Sequence, residues 1–171
     1  MELEIINAKM NPLSDEDIRD IVEIECHPLV RKWLVEYTIK GFEEELREYK
    51  DFFSKLRGND RVEVLVAKMN NRVVGFLALW CVDNCDEQAM SIGISVHPDY
   101  WGKNIASTLV RESIKLAKNR GVKKLIIETL EENGVMRRVA EKLGFKLETV
   151  RRGIIFKDGV CHNEVAYTLR I

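Results

Sequence analysis

The sequence has no apolar run long enough to span a membrane, no internal repeat, and no low-complexity segment or linker. Its first ten residues, MELEIINAKM, place acids among alternating apolar positions, a pattern typical of a strand and not of a cleaved leader. The 46% hydrophobic content over 171 residues is enough to form a sizeable core. We therefore expect one soluble domain covering residues 1–171, located in the cytoplasm and not associated with a membrane.

Cysteine is scarce, with four residues, and no two of them have the two-residue spacing typical of zinc sites and redox dithiols. We therefore predict reduced thiols and no metal site. Cys81 and Cys85 flank an acidic loop, so a bridge between them is left open. Cys26 and Cys161 are each followed by a histidine, and these are the features that would favour a metal instead.

Neither sign of charge is in excess, because 27 lysines and arginines nearly balance 28 aspartates and glutamates. The net charge of −1 argues against a general nucleic-acid-binding protein. The charges are nevertheless unevenly distributed. Residues 1–60 carry 15 acids and 9 bases, whereas residues 61–171 carry 13 acids and 18 bases, so the two parts are net −6 and net +5.

Hydrophobic periodicity predicts the element order β-α-α-β-β-β-α-β-α-β-β, whose consecutive β-α-β units make the central sheet mixed and partly parallel. Ser14 is the expected cap of the first helix, and Pro28 interrupts that helix. Trp33 and Tyr37 either pack in the core or line a ligand cleft. The predicted strands cover residues 2–8, 62–68, 73–80, 90–96, 124–130, 145–156 and 160–169.

The central feature is the stretch over residues 89–116, where a strand passes through a short turn directly into a helix that starts at Ile105. Because the first N–H groups of a helix have no partners within it, and the helix dipole adds positive charge, the turn suits a phosphate or pyrophosphate. Gly102 permits the close approach of a ligand, and Lys103 adds a cation. An ordinary β-α connection has the same pattern, so the motif alone leaves both interpretations open.

The run over residues 96–106, VHPDYWGKNIA, resembles the acetyl-coenzyme A signature of the GNAT superfamily of N-acetyltransferases. It departs from that signature with Trp101 at the Gln or Arg position and Asn104 at the first Gly. Asn is the residue other than glycine that most readily takes a positive φ, so Asn104 can keep the turn. A second run, NGVMRRVAEKLGF over residues 133–145, is similar to the Asn-led helix of the same family, and the predicted element order is that of the GNAT fold. The end of the chain is most similar to the ribosomal-protein N-acetyltransferase branch.

The resemblance implies an enzyme that moves an acetyl group from acetyl-coenzyme A to a primary amine by direct attack in a ternary complex. A protein N-terminus, a polyamine and an amino sugar all remain open as the acceptor. The resemblance also implies that backbone groups of Ile94, Ser95 and Val96 bind the pantetheine and thioester, and that the Asn133 side chain binds the pantetheine. The pyrophosphate would bind at Gly102, Lys103, Asn104, Ile105, Ala106 and Ser107.

The general acid of many family members is missing, because the positions of the usual Tyr and Ser are Ala140 and Met136 here. This keeps open a non-catalytic acyl-coenzyme A-binding or regulatory module. Glu128 lies in an apolar strand five residues before Asn133, the position at which some peptide N-terminal acetyltransferases of the superfamily carry a catalytic Glu. We predict Glu128 as the general base, and the alternative is a carboxylate paired with a neighbouring Lys or Arg.

The partner is expected to be cationic, because the family fold places much of the acidic first 60 residues on the acceptor side. No nucleic acid and no membrane is expected among the partners. An exposed edge strand would be an ordinary route to a homodimer.

Overall fold

The computed structural model describes residues 2–35, 40–82 and 88–171. Tyr37 and Cys85, which carry two of the sequence-based hypotheses, lie outside these residues. The strands are β1 (Glu4–Asn7), β2 (Val62–Met69), β3 (Arg72–Cys81), β4 (Ala89–Val96), β5 (Lys124–Leu130), β6 (Lys146–Lys157) and β7 (Val160–Arg170). The helices are α1 (Asp15–Cys26), α2 (Pro28–Arg31), α3 (Phe42–Lys55), α4 (Ile105–Asn119) and α5 (Gly134–Lys142), with 3₁₀ turns at Leu56–Gly58 and Pro98–Tyr100.

The strands form one sheet in the order β1-β2-β3-β4-β5-β7-β6. β4 and β5 run parallel, whereas the other neighbouring pairs of described strands are antiparallel. The mixed, partly parallel α/β sheet predicted from the sequence is therefore confirmed. One detail differs: among the residues described between β1 and β2 there are three helices and not two, because the piece after His27 forms a single turn of its own that starts at Pro28.

Helices pack on both faces of the sheet, and each face has its own core. On the α4 face, α4 and α5 cover apolar residues that include Leu77, Ile92 and Ile127. On the α1 face, α1, α2 and neighbouring residues of α3 cover Val66 and Phe76. Since side chains alternate between the faces of a strand, the residues between those of the first core point toward α1. These include Ser91, Gly93 and Ser95 on β4, and Ile126 and Glu128 on β5.

The first helix begins where its sequence predicts. The Ser14 side chain accepts a hydrogen bond from the Asp17 N–H at 3.1 Å, and the Asp17 carboxylate accepts one from the Ser14 N–H at 3.0 Å. This reciprocal capping box satisfies two backbone donors at once. The helix ends before Pro28, whose ring fits the first turn of α2 and not a helix interior.

The β4–β5 ladder is short and leaves a gap in the sheet. Ala89–Ile92 of β4 pair with Lys124–Ile127 of β5, but residues 93–96 of β4 pair only with β3, and residues 128–130 of β5 pair only with β7. We call the gap between these two strand ends the opening. It lies at the carboxyl ends of the two parallel strands, which is the edge where ligands bind in α/β sheets.

Within residues 2–35, 40–82 and 88–171, each helix is too short or too polar to cross a bilayer. Across the same residues, no three His, Cys, Asp or Glu side chains are grouped so that they could hold a metal ion. Cys26, Cys81 and Cys161 are free thiols.

Candidate active site

The turn over residues 101–104, which we call the cofactor turn, joins the 3₁₀ turn that follows β4 to the start of α4 and is exposed to solvent. Gly102 has φ of +77°, and no atom lies within 4 Å of the position that a Cβ would take. Asn104 has φ of 61° and ψ of 20°, in the left-handed region, so Asn takes the conformation expected of the glycine that it replaces. Its side chain makes no capping hydrogen bond. The turn is therefore open to solvent, and the Asn104 side chain does not cap the first N–H groups of α4.

The backbone of β4 presents its hydrogen-bonding groups to the opening at alternate residues. Two bonds fix the register of β4 against β3: the His97 N–H donates to the Val74 carbonyl at 2.8 Å, and the Val82 N–H donates to the Ala89 carbonyl at 3.1 Å. The backbone N–H and C=O groups of the odd-numbered residues of β4 therefore point toward β3. Those of Ile94 and Val96 point toward the opening.

Trp101 accounts for one of these groups. Its indole N–H donates to the Val96 carbonyl at 2.7 Å, although the side chain is 45% exposed. The Val96 carbonyl is therefore already hydrogen-bonded within the protein. Of the two backbone groups of Val96 that the sequence predicts to bind the pantetheine or thioester, the N–H is the one that remains available. The indole also holds the cofactor turn against the end of β4.

Asn133 lies across the opening, at the start of α5. Its side-chain oxygen accepts a hydrogen bond from the Met136 N–H at 3.2 Å, and its amide donates to the Thr129 hydroxyl at 3.1 Å. The helix-capping role is thus observed. Of the two positions where a general acid is often found, Ala140 is fully buried and Met136 packs against the core of the α4 face.

Glu128 lies on the α1 face beside the opening, and an arginine holds it. Arg151 of β6 donates to the Glu128 carboxylate at 2.9 Å and also pairs with Glu164 of β7. The Glu128 side chain is 36% exposed, whereas that of Glu164 is 7% exposed. Burial raises the pKa of Glu164. In the structure Glu128 is thus paired with a basic residue, as the alternative interpretation expected, but that residue belongs to β6, which is separated from β5 by β7.

A second carboxylate borders the opening from the side of β4, and the sequence reasoning missed it. Glu25, near the end of α1, accepts a hydrogen bond from the Ser95 hydroxyl at 3.2 Å. Burial raises the pKa of Glu25 to about 7, although the Ser95 hydrogen bond acts in the opposite direction. A signal was present: Glu25 is four residues after the buried Ile21, so a charged residue occupies the apolar stripe of an amphipathic helix.

Other titratable groups near the opening are engaged elsewhere. The Tyr167 hydroxyl accepts from Arg137 at 3.0 Å and donates to Glu141 at 2.8 Å, on the side of α5. His162 pairs with the Glu132 carboxylate. His97 accepts a hydrogen bond from the Asp99 N–H through Nδ1, which places its proton on Nε2 when the ring is neutral.

Two pockets of about 420 Å³ each open on the α1 face. The Trp80 pocket contains Glu128, and its wall is an indole that is 42% exposed and lies over Gly93. The other pocket, which we call the Cys26 pocket, has Cys26, the residue after Glu25, in its wall. Lys157 at its rim donates to the carbonyls of Arg31 and Leu34, the latter at 2.8 Å. The Cys26 pocket is lined by Cys26, Pro28, Arg31, Lys32, Lys157 and Asp158.

A sequence model described as Acetyltransferase (GNAT) domain matches residues 8–146. The chain belongs to the GNAT acetyltransferase family. As a member of this family it is an acetyl-coenzyme A-dependent N-acetyltransferase, so the fold, the activity and the cofactor expected from the two sequence motifs are confirmed.

The chain is also similar to individual GNAT proteins. A Bacillus subtilis (strain 168) protein, provisionally named a [ribosomal protein bS18]-alanine N-acetyltransferase, is 24% identical over 144 residues, or 84% of each chain. The spermidine N(1)-acetyltransferase of Thermoplasma acidophilum is 24% identical over 151 residues, covering 84% of this chain and 91% of that protein. A Salmonella typhimurium protein, provisionally named an acetyltransferase and solved with its cofactor acetyl-CoA, has a TM-score of 0.81 at 20% identity, and the match covers 99% of this chain and 94% of that chain. The similarity to the ribosomal-protein branch is thus confirmed.

Proposed function

We propose that residues 1–171 form one N-acetyltransferase domain that transfers the acetyl group of acetyl-coenzyme A to a cationic primary amine by direct attack in a ternary complex. The observation that carries the proposal is the opening between β4 and β5. The cofactor turn borders the opening on one side, and two carboxylates, Glu25 and Glu128, border it on the α1 face. Cofactor and amine would therefore meet from opposite faces of the sheet.

The cofactor would take the place of the missing part of the β4–β5 ladder. Its pyrophosphate would bind residues of the cofactor turn and the first N–H groups of α4. The residues of the turn are Gly102, Lys103 and Asn104, and those of the helix are Ile105, Ala106 and Ser107. The pantetheine would lie along residues 94–96, and the second amide N–H of Asn133 would donate to it. The N–H of Val96 would then donate to the oxyanion that forms when the amine attacks the thioester.

Departure of the thiolate does not require a dedicated acid. A free thiol ionises near pH 8.5, so coenzyme A is a good leaving group that can depart as the thiolate and then take up a proton lost by the attacking nitrogen. This supports turnover despite the side chains at positions 136 and 140. Positioning of the amine and removal of its proton matter more.

Glu128 stays a predicted catalytic residue. Its carboxylate lies on the α1 face at the opening, and Arg151 holds it in one orientation at 2.9 Å. The Trp80 indole lines the same pocket. A carboxylate and an exposed aromatic face are the groups that bind an ammonium in proteins. This combination supports a cationic acceptor.

The relatives point to the same chemistry. The names of the Bacillus and Thermoplasma proteins refer to an alanine of ribosomal protein bS18 and to spermidine. The amino group of an alanine at a chain start and the terminal amino groups of spermidine are primary amines that are protonated at neutral pH. We therefore propose that the acceptor is a peptide N-terminus or a small polyamine.

An acceptor screen read out by free coenzyme A tests the proposal. The panel would contain peptides with N-terminal alanine, the same peptides with a blocked N-terminus, spermidine, amino sugars and aminoglycosides. We expect thiol release with an unblocked amine and none with the blocked peptides. Acetyl-coenzyme A binding without thiol release for any amine would contradict transfer and favour a binding module.

We also propose a cytoplasmic homodimer. The free thiols Cys26, Cys81 and Cys161 are typical of a reducing compartment. β6 is an edge strand that exposes apolar side chains, including Ile154 at 54% and Phe156 at 72%, which suits pairing with a second copy. Light scattering on the wild type and on Phe156→Lys would test this, because a dimer that uses this edge should dissociate in the variant.

A further inference from the structure

We propose that Glu25, and not Glu128, takes the proton from the acceptor ammonium. This assignment rests on the proposed transfer to a primary amine and adds the residue that makes the amine nucleophilic. It depends on where Glu25 lies relative to the opening and on what surrounds its carboxylate.

The Glu25 carboxylate lies next to the part of β4 that faces the opening. Ser95 lies between the two β4 residues whose backbone groups face the opening, and its side chain points toward α1. The Ser95 hydroxyl donates to Oε1 of Glu25 at 3.2 Å. A thioester held along residues 94–96 would therefore have this carboxylate on its α1 side. An amine that approaches from the α1 face must pass close to it.

The surroundings of the Glu25 carboxylate also suit a general base. Glu25 is half-buried, and burial raises its pKa to about 7. A general base acts best when its pKa is near the working pH, because it is then both deprotonated and able to hold a proton. By contrast, the Glu128 carboxylate is already held by Arg151, which also pairs with Glu164.

Among the described residues, the charged and polar groups that face Glu25 come from three elements. On α2, the Arg31 guanidinium acts against the rise in pKa, but it is paired with Glu45 of α3 at 2.7 Å. The Glu45 carboxylate itself raises the pKa of Glu25. Tyr49 of α3 faces the same carboxylate, and burial raises the pKa of this phenol, so it remains neutral. On β4 the facing group is the neutral Ser95 hydroxyl.

The step balances without another reactant. The ammonium gives one proton to the Glu25 carboxylate, directly or through one water. The neutral amine forms a bond to the thioester carbon, the bond from that carbon to sulfur breaks, and coenzyme A leaves as a thiolate. The second proton lost by the nitrogen neutralises the thiolate. Glu25 then releases its proton to solvent.

The test is the pH dependence of kcat/KM in matched variants. Wild type should show kcat/KM rising through an apparent pKa of about 7. Glu25→Gln should lose about 10²-fold or more near pH 7, and the loss should shrink as the pH approaches the pKa of the amine itself. Glu25→Asp should keep the limb near pH 7 at a lower rate. Acetyl-coenzyme A affinity, measured by calorimetry, should not change in either variant.

Two other variants make the result specific. Glu23→Gln removes an exposed carboxylate from the same helix and should behave as wild type. Glu128→Gln should raise KM for the amine but keep the limb near pH 7. The opposite pattern, in which Glu128→Gln loses that limb and Glu25→Gln keeps it, would overturn the assignment and restore Glu128 as the base.

Failure of the assignment can be told from failure of the proposed function. If the wild-type protein gives no thiol release with any amine of the panel, the proposed function and the assignment of Glu25 are both overturned. Wild-type protein that acetylates an amine, with Glu25→Gln equally active at pH 7, overturns the assignment alone.

Discussion

The indole N–H of Trp101 donates to the backbone oxygen of Val96 at 2.7 Å, across the turn that joins β4 to α4. The family signature has a Gln or Arg at this position, and here an aromatic ring fills it. The ring ties the turn to the strand end, so it sets the shape of the cofactor turn without a charged group. Its N–H is used within the protein, which leaves Lys103 as the cation of the turn.

Trp101→Phe should weaken acetyl-coenzyme A binding by about 5-fold. The change keeps a ring but removes a hydrogen bond, and such bonds contribute about 1 kcal/mol. Calorimetry with acetyl-coenzyme A measures the effect. Trp80→Phe, which alters a ring on the α1 face away from the turn, is the control and should leave cofactor affinity unchanged. Equal affinities for the two variants would mean that the Trp101 hydrogen bond does not shape the turn.

Gly102→Glu should abolish acetyl-coenzyme A binding, because it places a carboxylate where the pyrophosphate is proposed to lie. Gly102 has φ of +77°, so any side chain there also strains the backbone. Gly121→Glu is a matched control, since Gly121 has φ of +81° and equally open surroundings at the other end of α4. The control should bind the cofactor like wild type. A folded Gly102→Glu variant that binds as well as the control would remove the pyrophosphate from this turn.

Glu25→Gln should stabilise the folded protein at high pH. The folded pKa of about 7 lies above the ordinary value of 4.5 for a glutamate, so ionisation favours the unfolded state. Below pH 4.5 the carboxyl is protonated in both states and costs nothing; between pH 4.5 and 7 the wild type progressively loses stability, by at most about 3 kcal/mol. The variant carries no such loss. Melting temperatures of the two proteins should be close at pH 4.5 and differ most at pH 8, with the variant higher. A constant difference across this range would contradict the raised pKa.

The kcat/KM for the best amine should fall as salt is raised from low to moderate concentration. Residues 1–60 carry a net charge of −6, and opposite charge on the acceptor speeds encounter until salt screens it. The control is an analogue of the same amine whose pKa is low enough that it stays neutral at the assay pH. The kcat/KM for this analogue should depend little on salt. A best substrate that is neutral or anionic would contradict a cationic acceptor.

The strong periodic patterns of the sequence predicted the fold well, because alternation over β4 and the stripe of α4 each reflect a single buried face. The left-handed conformation of Asn104 was also predictable, since few residue types accept it. The surroundings of Glu128 and Glu25 were not. Whether a carboxylate meets Arg151 or Ser95 depends on contacts between elements far apart in the chain, and sequence spacing carries no such information.

The sheet consists of two parts that are joined by the short β4–β5 ladder, which we call the seam. The β4–β5 ladder spans only four residue pairs, so β1-β2-β3-β4 and β5-β7-β6 are connected by fewer strand hydrogen bonds than hold either part together. A pantetheine arm lying in the opening would add bonds to both parts and lengthen the seam. Bound cofactor should therefore slow amide hydrogen exchange at the carboxyl ends of both β4 and β5, although it would contact few of their side chains. In this protein the bound cofactor would act as part of the backbone pairing of the sheet.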